Sequence, residues 1–192
     1  MRFTIITHVS HIKNNDRYLG YAPYVREMNL WLKNVDYLTI VAPLKKEDIK
    51  PIDLAYESNK ILFREVPDFS FTTIKCSVLS IFKLPIIFCK IFSAMYQADH
   101  IHLRCPGNMG LVGCFVQMLF PYKTKTAKYA GNWDPKSQQP WTYKLQKFIL
   151  SNTFLTKNMQ VLVYGEWENQ AKNIKPFFTA TYRESEKEII NK

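Results

Sequence analysis

Short apolar runs alternate with longer stretches of near-helical spacing along most of the chain. Phe3–Val9, Tyr37–Ala42, Lys60–Val66, Ile101–Leu103, Thr124–Ala130 and Gln160–Tyr164 read as strands. Pro43, Pro67, Gly131 and Gly165 close four of them, and Arg104-Cys105-Pro106-Gly107 closes a fifth. Between them, Ala22–Leu32, Thr73–Met95, Asn108–Phe120 and Trp141–Leu155 have helical spacing. Strands that are apolar on consecutive positions are buried on both faces, as in parallel sheets. Their alternation with helices predicts an α/β fold: a Rossmann-like, doubly wound, mainly parallel sheet with right-handed crossovers.

The end of the chain breaks this pattern. Lys175–Tyr182 reads as one more strand, and Arg183–Lys192 then has six charged residues in ten. The expectation is one Rossmann-like domain over 1–182, followed by a charged interdomain linker or truncated tail over 183–192. A length of 192 residues suits that reading. Hydrophobic residues at 47% and aromatics at 15% exclude general disorder. Lys+Arg at 26 against Asp+Glu at 16 gives a formal charge of +10, which favours anionic partners: nucleic acid, lipid headgroups or phosphorylated ligands. The N-terminal apolar run is too short for a signal peptide. Cysteines at 76, 89, 105 and 114 form no CxxC, and their gaps suit buried thiols in a reducing compartment better than zinc or disulfides.

In open parallel sheets, ligands bind beyond the carboxyl ends of the strands. Three strand-end loops therefore hold the candidate chemistry. The first runs from His8 through Pro23; Gly20 precedes a helix and would let a phosphate approach backbone N–H groups, or it serves a plain turn. His8 or His11 can contact a ligand or act as a base near neutral pH. The second is Arg104 to Gly113. Arg104 beside a helix start opened by Gly107 and Asn108 suits an anion, or else pairs with a carboxylate. Gly107, Gly110 and Gly113 at three-residue spacing let that helix lie close to the sheet, and the run is not GxGxxG. The third is Lys128 to Pro135, where Gly131, Asn132, Trp133 and Asp134 combine an indole, an amide and a carboxylate suited to a sugar or a base. The alternative is a Trp133 that plugs the sheet and an Asp134 that opens a turn. His100 and His102 share one strand face but lack an evident third metal ligand, so no metal is expected. Glu166 and Glu168 read as a solvated helix start.

Cys76–Tyr96 holds 15 apolar residues in 21, long enough to cross a bilayer. Lys83 and Lys90 within it argue instead for a two-faced helix, wet along its lysines and packed in the core, and Pro85 predicts a kink or break. A membrane interface is the other reading.

The run His100-Ile-His-Leu-Arg104-Cys-Pro-Gly-Asn-Met-Gly-Leu111, followed by Lys128-Tyr-Ala-Gly-Asn-Trp-Asp134, resembles the N-terminal half of bacterial group 1 (family 4-like) glycosyltransferases. The opening strand and Pro176–Tyr182 resemble that half too, so the similarity covers essentially the whole chain. It implies a single GT-B N-terminal domain that binds the acceptor, while a second domain, absent from this chain, binds the nucleotide-sugar donor. It further implies retaining, hexosyltransferase-type transfer to a lipid-linked or saccharide acceptor in surface polysaccharide synthesis. No cofactor is implied. Location would be cytoplasmic, peripheral at the inner face of the cytoplasmic membrane. Many members carry a glycine pair in the first loop, where this chain has only Gly20. Many carry a histidine where Gly131-Asn132-Trp133 stands, so no catalytic histidine is carried over. The substrate-side positions expected on these grounds are His8, Gly20, Arg104, Gly107, Asn108, Gly131, Asn132, Trp133 and Asp134. The alternative is a non-catalytic module that binds a saccharide or lipid phosphate with a partner chain. Nucleic acid is not expected, because the charge is dispersed and no RNP, KH or helix-turn-helix pattern occurs.

Overall fold

A computed structural model of the chain describes residues 1–58, 60–67 and 74–177, the side chains of 74–81 excepted. The end of the predicted last strand and the 183–192 linker lie outside the described residues.

Seven strands form one parallel sheet: β1 (Arg2–Ile6), β4 (Tyr37–Ala42), β7 (Ile61–Glu65), β8 (His100–Cys105), β9 (Thr124–Tyr129), β10 (Met159–Val163) and β11 (Ile174–Pro176). Their spatial order is β11-β10-β9-β8-β1-β4-β7. The chain therefore winds outward from β1 to one edge, crosses back, and winds to the other. This is the doubly wound, Rossmann-like α/β arrangement that the apolar runs predict. Consecutive strand residues face opposite layers, which explains why these runs are apolar throughout. Ile5 and Ile40 enter a core with α1 (Ala22–Leu32), which supplies Tyr24, Val25 and Met28. Their neighbours Ile6 and Val41 enter the opposite core with Ile87, Ile91, Met95, Ile149 and Leu150. Those belong to α2 (Ile74–Gln97) and α4 (Trp141–Ser151), which lie on the same face as α3 (Asn108–Val116). Each such fully buried aliphatic side chain contributes about 1.5–3 kcal/mol.

The element limits follow local chemistry. α1 and β4 match their expected spans. The helix predicted to run to Leu155 stops at Ser151, because the Asn152 side-chain oxygen accepts the N–H groups of Phe154 and Leu155 and turns the chain. The Asn108–Phe120 stretch ends in a 3₁₀ turn, Gln117–Leu119. α2 continues through Pro85 as one helix, so the break expected there does not occur.

One expectation is corrected. The segment after β1 is not a long polar loop but a hairpin, β2 (His11–Asn14) and β3 (Arg17–Tyr21). Asn14 pairs with Arg17, and Asn15 takes φ 50°, a conformation that Asn tolerates at a two-residue turn. With β5 (Leu44–Lys45) and β6 (Asp53–Ala55) the hairpin makes a second sheet, order β5-β2-β3-β6, packed beside α1. The β4-to-β7 connection thus runs through strands rather than a helix.

Candidate functional site

A cleft of about 660 Å³ opens at the carboxyl ends of the strands, around the point between β1 and β8 where the strand order reverses. That is where open α/β sheets bind ligands. A similar hollow of about 690 Å³ lies at the opposite ends of β9 and β10, but it lacks that topological position. In the carboxyl-end cleft, β1 leads into His8 and Val9, and β8 ends in Arg104, Cys105 and the cis-linked Pro106. β9 leads into Ala130 and Gly131, and β10 into Tyr164. α1 supplies Tyr24 and Glu27, and α4 supplies Tyr143.

Charge at the cleft is organised around Glu27, which is only 3% exposed. Arg104 donates from Nη1 to Glu27 Oε2 at 3.0 Å, and its guanidinium lies 5.3 Å from the centre of the Tyr24 ring. Lys128 Nζ approaches Glu27 Oε1 at 3.9 Å from a fully buried position on β9. The rings of Tyr164 and Phe177 enclose the same ammonium at 4.4 and 3.8 Å. Two cations against one carboxylate leave this end of the sheet positive. Burial is the main reason the Lys128 pKa falls to about 8; Glu27 opposes that fall and Arg104 adds to it. The two readings of Arg104 therefore meet in one residue: Glu27 anchors it by the expected ion pair, and it still lines the cleft.

His8 and Gly107 are brought together. A Cβ on Gly107 would stand 2.9 Å from the His8 Nδ1, and Gly107 has φ 153°, so no other residue fits comfortably. Desolvation, then the Arg104 charge, lowers the His8 pKa and so favours the neutral ring. Gly107 caps α3 and donates its N–H to Gln146 Oε1 at 3.3 Å. Asn108 is the first helical residue after it. Gly131 lines the cleft with its Cα against Pro106, whose Cγ a Cβ would meet at 2.9 Å.

Four expected positions do something else. Gly20 sits inside β3, paired with Leu54 and covered by the His11 ring, so it is not a phosphate loop. Trp133 is 3% exposed; it packs edge-on against Tyr129 at 4.9 Å and donates from Nε1 to Gln170 at 2.7 Å. It plugs the sheet and offers no face to a sugar. The Asn132 side chain accepts the Asp134 N–H, and the Asp134 carboxylate accepts the Lys136 N–H, so both build a turn. Strand-end Asn and Asp serve turns and ligands equally well, so residue type alone does not separate the two roles.

The remaining titratable candidates are structural. His100 and His102 both hydrogen-bond Thr126 Oγ1, at 2.9 and 2.8 Å, and stack on Phe3. Burial lowers the His102 pKa to about 3. His11 is fully buried against Tyr56, with its Nε2 2.8 Å from the phenol oxygen. Glu166 and Glu168 lie in a loop after Gly165 rather than at a helix start. Among the described residues, no three His, Cys, Asp or Glu side chains gather as a metal site. Cys89, Cys105 and Cys114 are free thiols.

Sequence reasoning missed Glu27, Tyr24, Tyr143 and Tyr164 as cleft residues. Glu27 carried a usable signal: it stands in the apolar stripe of α1, one residue from Met28, where a carboxylate is costly unless paired. The tyrosines carried none, because only the fold brings α1, α4 and the β10 end together. The chain matches no known family model and no curated protein.

Proposed function

We propose that this chain is the acceptor-binding half of a two-domain glycosyltransferase, taking a phosphorylated saccharide or lipid-linked saccharide in its carboxyl-end cleft. The observation that carries this reading is the Glu27–Arg104–Lys128 cluster beside tyrosines at the strand-order reversal. The resemblance of the Arg104–Leu111 and Lys128–Asp134 runs to acceptor-side glycosyltransferase halves supports it. A fixed guanidinium neutralises a phosphate without reorganising, because Glu27 and Tyr24 hold it in place. Tyrosine rings cover the apolar face of a sugar, and the neutral His8 accepts a hydrogen bond from an acceptor hydroxyl. Donor binding and the transfer step belong to a second Rossmann-like half.

Titration calorimetry on the whole chain tests this with a polyprenyl phosphosugar of short chain and the matching unphosphorylated glycoside. The expected result is tighter binding of the phosphorylated ligand by at least about tenfold, the scale of one charge-assisted contact. Arg104→Met should abolish that preference. Equal binding of the two ligands, or sugar transfer by the chain with no second domain present, would overturn the proposal.

A further inference from the structure

α2 presents two apolar faces. Ile87, Ile91, Ala94 and Met95 are buried under the sheet. On the outer side Phe82 and Ile86, then Phe88, Phe92 and Tyr96, recur at four-residue spacing and are exposed, Phe82 at 75% and Tyr96 at 68%. The rings form a run: Phe88 lies 6.4 Å from Phe92, and Phe92 lies 6.5 Å from Tyr96. Phe92 also contacts Phe120 at 5.2 Å, which joins the face to the end of α3, where Leu119 and Tyr122 are exposed as well. A soluble monomer rarely shows so continuous an apolar patch without a use for it.

Charge decides what covers this face. The chain has no acidic residue between Asp68 and Asp99, and none between Asp99 and Asp134. Of the bases in those spans, Lys83 and Lys90 stand on α2 and Lys123 beside Phe120, while Arg104 lines the cleft and Lys125 and Lys128 are buried. Lys90 and Lys123 are held at the border of the aromatic face, on the carbonyls of Glu65 and Tyr96. α2 itself carries no acid, and its aromatic rings bordered by lysines, with Asp99 facing Lys123 at one edge, complement a headgroup layer that is anionic outside and apolar beneath. A second copy of the chain would bring like charges together. None of the described helices is long and apolar enough to cross a membrane, so the face would lie on the bilayer.

We infer that the outer face of α2, with the Leu119–Tyr122 corner, docks on an anionic lipid surface. The crossover from β7 to β8 runs antiparallel to the strands and ends at Gln97, near the amino end of β8. The Phe82 end of the face is therefore at the carboxyl end of the sheet, the end where the cleft opens. Docking would hold that end close to the headgroups. The inference stands apart from the proposed acceptor chemistry and survives its failure.

The test is co-sedimentation of the whole chain with vesicles of phosphatidylcholine alone, or with one third phosphatidylglycerol, and no acceptor present. Binding should be at least about tenfold tighter to the anionic vesicles and weaken in high salt. The triple variant Phe82→Ser/Ile86→Ser/Tyr96→Ser should lose at least about tenfold in binding. Its circular dichroism and melting should be unchanged, since all three side chains are exposed. Equal binding to both vesicles would overturn the inference, as would undiminished binding by the folded variant. A dimer in sedimentation equilibrium that the same variant dissolves would overturn it too, and would assign the face to a second copy.

Discussion

Glu27 shows how one buried side chain can organise a site. Its carboxylate is 3% exposed and faces both Arg104 and Lys128. Removing one partner of a buried pair costs about 3–5 kcal/mol, because the remaining charge loses its compensation. Here Lys128 remains after Arg104 is lost, so Arg104→Ala should fall at the low end, about 3 kcal/mol in urea unfolding. Glu27→Gln is the more damaging change, because it leaves two buried cations facing each other. We expect it to cost more than Arg104→Ala, and Arg104→Ala/Glu27→Gln to be less destabilised than the sum of the two. Additive losses would show that the three groups do not act as a unit.

At the scale of elements, legibility depended on whether a signal was local. The main strands are legible because burial on both faces forces apolar residues onto consecutive positions, as in Tyr37–Ala42. The β2–β3 hairpin was not, because its strands are short and mostly polar, with Ile12 and Leu19 the buried aliphatic pair. The aromatic outer face of α2 was hidden for another reason. Its composition fits a core helix, and only the packing shows that the apolar residues outnumber the places available under the sheet. α3 is the case where spacing was informative. Gly110 and Gly113 let it lie close on β8, where a Cβ at Gly110 would stand 2.9 Å from the Arg104 carbonyl oxygen and from Cys105 Sγ. Gly110→Ala therefore sets two effects against each other. Helix propensity favours alanine by about 1 kcal/mol, and the collision with backbone costs about 1–3 kcal/mol. The carbonyl cannot swing aside without breaking β8–β9 pairing, so we expect net destabilisation. A more stable Gly110→Ala protein in thermal melts would show that α3 has room to move.

For the whole molecule, buried bases shape how stability depends on pH. Burial lowers the pKa of His11 to about 4 and that of His102 to about 3, below the ordinary 6.5. As pH falls below 6.5 the unfolded chain takes up protons that the folded chain refuses, so stability falls. The loss is up to about 1.4 kcal/mol per pH unit for each histidine. On the alkaline side the same sign again makes stability rise with pH. Burial lowers Lys125 and Lys128 on β9 to about 8 from 10.5. Between those values the unfolded chain keeps protons that the folded chain has released, so stability rises with pH. Above pH 10 Tyr129, its pKa raised by burial, begins to oppose the rise. Unfolding free energy should therefore climb from pH 5 to 6.5, level off, and climb again from pH 8 to 10. This differs from the usual maximum between pH 5 and 8. Urea titrations across that range check it, and two variants locate the causes. His11→Asn should flatten the acid limb. Lys125→Met, which removes an ammonium bonded to Gln117 at 2.7 Å, should flatten the alkaline one. A protein that loses stability from pH 8 to 10 would show that the β9 ammonium groups stay charged in the fold. The positive end of the sheet would then hold its full charge throughout the neutral range.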